Sequence, residues 1–421
     1  MKQFLLLLVL LATLSCHSQV RKGRGGYTRG TVKDRMIETG AENLSQYLPL
    51  LKGKKVAVFA NQTSVVGNVH LIDTLQKLGV NIRVIFGPEH GFRGKADAGE
   101  EIGNSKDPKT GITVISLYGN KKKPTAEELK DIDVMLFDIQ DVGVRFYTYI
   151  SSLEYYMEAA MESGKHLIVL DRPNPNGHYI DGPVLEKAFQ SFVGMQAVPV
   201  VYGMTIGEYA QMLYGEQWLD PKAYSWGKGS GTFELTIIPC NNYTHKTFYN
   251  LPVKPSPNLP DMQSVYLYPT TCFFEGTLLS EGRGTDKPFQ VYGHPSYSNS
   301  MFSFTPKSKE GAKKPKLQDQ VCYGWDQSGT PEEVRNRVAN KLQIGWILEA
   351  YNLFPDKSQF FLQSQGTKKE NIFFNKLAGN STLMQQIKEE ESEEIIRKSW
   401  EPALSRFKNI RKKYLLYPDF E

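Results

Sequence analysis

Val134-Met135-Leu136-Phe137 runs directly into Asp138-Ile139-Gln140-Asp141-Val142-Gly143-Val144-Arg145, and two other stretches repeat that plan. Ile82-Arg83-Val84-Ile85-Phe86 leads into Gly87-Pro88-Glu89-His90-Gly91-Phe92-Arg93-Gly94, and Leu167-Ile168-Val169-Leu170 leads into Asp171-Arg172-Pro173-Asn174-Pro175-Asn176-Gly177. Short unbroken apolar runs, bounded by Gly and Pro and separated by helical stretches, read as strands buried on both faces of a parallel sheet. Such a sheet presents the carboxyl ends of its strands along one edge, where ligands bind. Carboxylates, a histidine and arginines far apart in the chain therefore converge on one cleft, the pattern of an active site.

Outward from these segments, Lys55-Val56-Ala57-Val58-Phe59-Ala60 adds a strand that ends in Asn61-Gln62-Thr63-Ser64, and 113–118 adds another. Helices are expected over 70–78, from Thr125, over 147–162 and over 205–214; Thr125 with Glu128, and Thr205 with Glu208, have capping-box spacing. Strands 198–203 and 234–239 extend the sheet. This alternation predicts a Rossmann-like α/β domain with a largely parallel sheet, followed by a second, smaller α+β domain. The Pro-rich stretch 251–260 is the expected linker or ordered crossover loop. Beyond it, strands are expected near 271–274 and 289–292, then a long helix over 331–353 and a charged helical tail over 382–413. The chain thus divides into a signal peptide (1–16), a flexible tether (17–37), the Rossmann-like domain (38–250) and the C-terminal domain (251–421).

Composition narrows the function classes. With 421 residues, 40% hydrophobic and 23% charged, the chain buries a substantial core. The net charge of +5 is concentrated in the basic residues Arg21, Lys22, Arg24, Arg29, Lys33 and Arg35 and in the Lys-rich loop 307–316. Neither run interleaves aromatics, so nucleic acid is not an expected partner. Met1-Lys2 and the apolar run 4–14 have signal-peptide length, too short for a membrane span. The run ends Thr13-Leu14-Ser15-Cys16, similar to a lipoprotein box with Thr where Leu is usual. Lipidation of Cys16 would place an exported protein in the periplasm or at the outer membrane, anchored by lipid only; cleavage a few residues later would leave it soluble in the periplasm. Cys240, Cys272 and Cys322 form no CxxC pair and read as buried free thiols. No GxGxxG follows the first strand, and no P-loop, HExxH or GxSxG is present, so neither a cofactor nor a metal is expected.

Glu89 is the leading chemical candidate. Gly87, Gly91 and Gly94 let the backbone turn sharply around it, and Phe86 and Phe92 shield it, a setting that favours a general acid. His90 beside it is a second candidate, as a base or a substrate contact. Asp138 and Asp141 would point to opposite faces of an extended strand, so bringing both to the cleft needs a turn, for which Gly143 is placed. Arg93, Arg145, Arg172 and Arg283 offer forks for an anionic group. Asp171 and Asn174 supply further polar contacts on a loop stiffened by two prolines, and Glu281 and Arg283 sit in the Gly-flanked stretch Ser280-Glu281-Gly282-Arg283-Gly284-Thr285-Asp286.

Across these motifs, together with Arg145-Phe146-Tyr147-Thr148-Tyr149 and Val201-Tyr202-Gly203-Met204-Thr205, the chain resembles a bacterial family of exo-β-N-acetylmuramidases. The resemblance implies a Rossmann-like domain and a smaller domain with the active site between them. It also implies release of terminal N-acetylmuramic acid from the non-reducing end of peptidoglycan fragments, with Glu89 as the catalytic carboxylate. Glycoside cleavage needs a proton donor at the leaving oxygen and a second group that supports the oxocarbenium-like centre. Asp138 or Asp141 would serve as that base or would orient a 2-acetamido group acting as internal nucleophile. A lipid-anchored binding protein for cell-wall sugars and a metal-dependent amidase or esterase are the rival readings of the same cleft.

Overall fold

Among the residues that the computed structural model describes, 36–89, 91–92, 103–225 and 233–421, seven strands join in one sheet. They are β1 (Lys55–Ala60), β2 (Asn81–Gly87), β3 (Ser105–Lys106), β4 (Thr113–Ser116), β5 (Val134–Asp138), β6 (His166–Leu170) and β7 (Leu235–Ile238). The order across the sheet is β3-β4-β2-β1-β5-β6-β7, and every pairing is parallel except the edge pair β3–β4. The chain winds outward from β1 in one direction and then restarts beside it at β5. That switch point opens a crevice at the carboxyl ends of β1 and β5.

Both faces of the sheet are covered, which is why its strands lack polar alternation. Ala57 and Phe59 of β1 join Met135, Phe137, Leu167 and Val169 in one core, with Leu153, Tyr156 and Met157 of the helix Tyr149–Glu162. Val56, Val58 and Ala60 join Val134, Leu136, Ile168 and Leu170 in the other, under Leu71, Ile72 and Leu75 of the helix Leu71–Lys77. The first core continues without a break into Phe273, Phe360 and Phe374 of the C-terminal half, and Ile37–Glu421 forms one compact unit. That half carries a three-stranded antiparallel sheet made of Val291–His294, Cys322–Asp326 and Phe302–Phe304, with Cys322–Asp326 in the middle.

Several expected elements differ. Residues 198–203 make isolated bridges, Val201 to Val144 and to Asp181, instead of a sheet strand. Residues 271–274 are helical: Met262–Thr271 is an α-helix capped by Asp261, which accepts from the Ser264 amide at 2.8 Å, and it passes into a 3-10 turn at Cys272–Gly276. Its aromatic residues are buried all round, so helix and strand share one apolar pattern there. The helix expected over 331–353 breaks into Pro331–Val338 and Ile344–Leu353, with Ala339 and Asn340 at φ 49° and 56°. Asp181 fixes the break by accepting from the Leu342 amide at 2.7 Å and from Arg397 at 2.9 Å. The tail likewise divides, into Thr382–Lys388 and Glu393–Arg411, with Glu390 at φ 55° between them. Cys240, Cys272 and Cys322 are buried free thiols. Among the described residues no helix is long and apolar enough to cross a membrane.

Candidate active site

The turn after β2 is tight because the Gly91 amide donates to the Pro88 carbonyl at 3.0 Å, with Gly91 at φ 73°. It leaves Glu89 half-buried on a cleft of about 430 Å³, open mouth included, at the switch-point crevice. Tyr118, from the exit of β4, donates to Glu89 Oε1 at 2.9 Å. Thr148, at the start of the helix that follows β5, donates to Oε2 at 3.2 Å. A hydroxyl can accept as well as donate, so this pair holds the carboxyl group in either protonation state.

Five aromatic rings stand in the walls. Phe146, Tyr147 and Tyr149 come from the β5 exit, and Tyr268, Phe289 and Arg283 come from the C-terminal half. Tyr268 stands edge-on to both Phe146 and Phe289, with ring centres at 5.5 and 4.9 Å. Burial raises the phenol pKa values of Tyr147 and Tyr149 above the ordinary value, so both remain protonated donors. The Pro255 carbonyl takes Tyr147 at 2.9 Å and Tyr149 at 3.4 Å. The Pro-rich stretch is therefore a wall of the cleft, to which it also contributes Ser256, Asn258 and Leu259.

Of the residues singled out in the sequence, the structure brings Glu89 and Arg283 together on this cleft. Glu281 stands behind Arg283, 3.3 Å from its Nε and 2.8 Å from Lys316. His90, Arg93 and Cys16 lie outside the described residues.

The others are withdrawn from the expected roles by their surroundings. Asp138 is fully buried and holds Arg172 through both oxygens, at 2.6 and 2.8 Å, while Arg172 also donates to the Val65 carbonyl at 3.0 Å. Acid and base are thus spent on each other, tying the exits of β5 and β6. Asp141 is buried, accepts from the Gly143 amide at 2.6 Å and from Tyr202, and burial lifts its carboxyl pKa to about 6. The turn expected at Gly143 is present, at φ 76°. It directs Asp141 into the protein and not into the cleft.

Arg145 is also fully buried, its guanidinium donating to the carbonyls of Pro183, Val198 and Leu377 at 2.8, 2.7 and 2.7 Å. Asp171 accepts from Thr205 at 2.7 Å and from the Gly207 amide at 2.8 Å, with burial lifting its carboxyl to about 6. Asn174 donates to the Met204 carbonyl at 2.8 Å and accepts from the Asn176 amide at 2.8 Å. These groups shape the loops that carry the cleft and do not line it. Sequence reasoning assigned no role to Tyr118 or Thr148, although a strand exit at Gly119-Asn120 and the run Phe146-Tyr147-Thr148-Tyr149 marked their places. Among the described residues no three His, Cys, Asp or Glu side chains gather as a metal site requires.

A half-buried carboxyl group in a cleft at the carboxyl edge of a parallel sheet fits the acid half of what the glycosidase class requires. Comparison with known proteins makes that class specific. Residues 56–263 match the N-terminal part, and residues 266–417 the C-terminal part, of the exo-beta-N-acetylmuramidase NamZ family, and the chain belongs to that family. It is 38% identical over 414 residues to the peptidoglycan beta-N-acetylmuramidase NamZ of Bacillus subtilis (strain 168), a match that covers 92% of this chain and 93% of that protein. The crystal structure of a DUF1343 family protein from Bacteroides fragilis NCTC 9343 superposes with a TM-score of 0.80 at 42% identity, covering 91% of this chain and 100% of that one. A second DUF1343 family protein from the same organism gives 0.73 at 29% identity, covering 90% and 99%.

Proposed function

We propose that the chain releases terminal N-acetylmuramic acid from the non-reducing end of peptidoglycan fragments, with Glu89 as the general acid. The observation that carries the reading is the placement of Glu89: one carboxyl group, gripped by two hydroxyls, on an aromatic cleft of a chain that belongs to the exo-muramidase family. In the cleavage step the Glu89 proton passes to the glycosidic oxygen as the bond from that oxygen to C1 breaks, and the bonding electrons leave with the oxygen. Water then adds to C1, its oxygen completing the product, and the proton it sheds restores the Glu89 carboxyl group for the next turnover. The aromatic walls cover the apolar faces of the sugar ring, and Ser256 and Asn258 offer polar contacts to its hydroxyls.

Turnover of a chromogenic β-N-acetylmuramic acid glycoside tests the reading. The wild type should release the chromophore, and Glu89→Gln should abolish release while its thermal unfolding stays that of the wild type. Sugar binding without turnover would make the protein a receptor; loss of activity on adding a chelator would point to a metal-dependent amidase or esterase.

The site of action is a further proposal, resting on residues 1–16 alone. Lipidation at Cys16 would hold the exported enzyme in the periplasm or at the outer membrane. Mass spectrometry of the mature N-terminus checks it: a diacylglyceryl group on Cys16 supports the anchor, and an unmodified terminus further along supports a soluble periplasmic form.

A further inference from the structure

We propose that Arg283 receives the lactyl carboxylate of the substrate and thereby makes the cleft select muramic acid; the inference rests on the exo-muramidase reading above. N-Acetylmuramic acid differs from N-acetylglucosamine by a lactyl ether on C3, which ends in a carboxylate. C3 lies two ring carbons from the anomeric centre where Glu89 acts, so the acid and the carboxylate receptor have to share a cleft without neutralising each other. Glu89 and Arg283 meet that requirement: both line the cleft, while the ion pairs of Arg283 run to Glu275 at 2.7 Å and Glu281 at 3.3 Å.

Arg145 and Arg172 are committed to buried carbonyls and to Asp138 respectively. Arg283 differs from both. Its side chain keeps 20% of its exposure. Nη2 donates to Glu275 and Nε faces Glu281, which leaves Nη1 without a partner among the described residues. A planar fork fixed along one edge, with a nitrogen to spare, is preorganised for a further carboxylate.

The surrounding backbone is built around this side chain at some cost. Gly282 and Gly284, on either side of it, stand at φ 81° and 79°. A Cβ at Gly282 would lie 2.8 Å from the Lys287 and Val291 carbonyl oxygens, and one at Gly284 would lie 2.4 Å from the Lys307 carbonyl oxygen. The Arg283 guanidinium lies 5.0 Å from the centre of the Phe289 ring, and Phe289 itself is held at φ 60°, a conformation that bulky side chains avoid. The Phe289 amide donates to the Glu281 carbonyl at 2.8 Å, and the Thr271 hydroxyl donates to the Phe289 carbonyl at 3.0 Å. Lys316, 2.8 Å from Glu281, balances the second carboxylate. The quartet Glu275, Glu281, Arg283 and Lys316 is then neutral in sum, so an incoming anion is recognised by directed hydrogen bonds and not by a broad positive field.

Two chromogenic β-muramic acid glycosides, one with the free lactyl acid and one with its methyl ester, provide the test. The wild type should prefer the acid at least tenfold in kcat/KM, the difference residing in KM. Arg283→Gln should lose that preference by treating the acid as the wild type treats the ester. Arg283→Lys, which keeps the charge but not the fork, should recover part of it, and it carries the test alone should the glutamine variant fail to fold. A wild type indifferent to esterification, or variants that retain the full preference or slow both substrates equally, would overturn the assignment. A wild type inactive on both glycosides would instead overturn the muramidase reading itself.

Discussion

Asp138 and Arg172 hold each other through two hydrogen bonds in a position where neither meets water. Removing one partner of such a pair leaves the other charged and buried, which costs about 3–5 kcal/mol. Asp138→Ala should therefore lower the urea midpoint by that equivalent, and a change below about 1 kcal/mol would contradict the buried pairing. Asp141 makes a different prediction. Its folded pKa of about 6 lies above the ordinary 3.8, so the native state holds this proton more tightly than the unfolded chain does. Its contribution to stability is complete below about pH 4 and is lost as pH rises through 6. Asp141→Asn retains an amide oxygen for Gly143 and Tyr202 and does not titrate. Unfolding free energies at pH 4 and pH 7 should shift in the variant's favour by roughly 2–3 kcal/mol between the two, and an unchanged gap would refute the shift. The sequence displayed all of these charged residues at strand exits but not which way they turned. Glu89 follows a proline in a glycine turn and faces the cleft, whereas Asp138 and Asp141 face partners that only tertiary packing supplies.

At the scale of elements, the buried strands and the capped helices were legible because their signals are local. Apolar runs of four or five residues sit on β2, β5 and β6, and the Thr205–Glu208 capping box starts the helix Ile206–Gly215. The break at Ala339 and Asn340 was not legible, since its anchor is Asp181 far back in the chain. Nor did the aromatic stretch before Gly276 disclose that it is helical, because full burial erases the period that separates helix from strand. Gly143 gives a test at this scale. A Cβ there would lie 2.2 Å from the Asn174 side chain at a φ of 76°, whereas Gly53, at φ 72°, has nothing within 4 Å. Both alanine variants bear the strain of a left-handed backbone, about 1 kcal/mol each. Gly143→Ala should lose a further ~1–3 kcal/mol and reduce turnover, because the same loop leads to Tyr147, Thr148 and Tyr149. Equal melting temperatures for the two variants would dismiss the Asn174 contact as a constraint.

For the whole molecule, the continuous core between the sheet and the C-terminal half means that neither part is complete alone. Calorimetry of residues 37–421 should show one cooperative transition; two resolved transitions would contradict a shared core. The cleft obeys the same logic, since Glu89 and Thr148 come from one half and Tyr268, Arg283 and Phe289 from the other. The sequence foretold a cleft where strand ends meet, but the Pro-rich stretch looked like a connection and proved to be a wall. Four prolines, Pro252, Pro255, Pro257 and Pro260, restrict its backbone, and the Pro255 carbonyl gathers Gln62, Tyr147 and Tyr149. Restriction by proline reduces the conformational freedom that the unfolded chain has to lose. The ordering entropy of this side of the cleft is consequently spent during folding, and whatever enters beside Ser256 and Asn258 meets a surface already set.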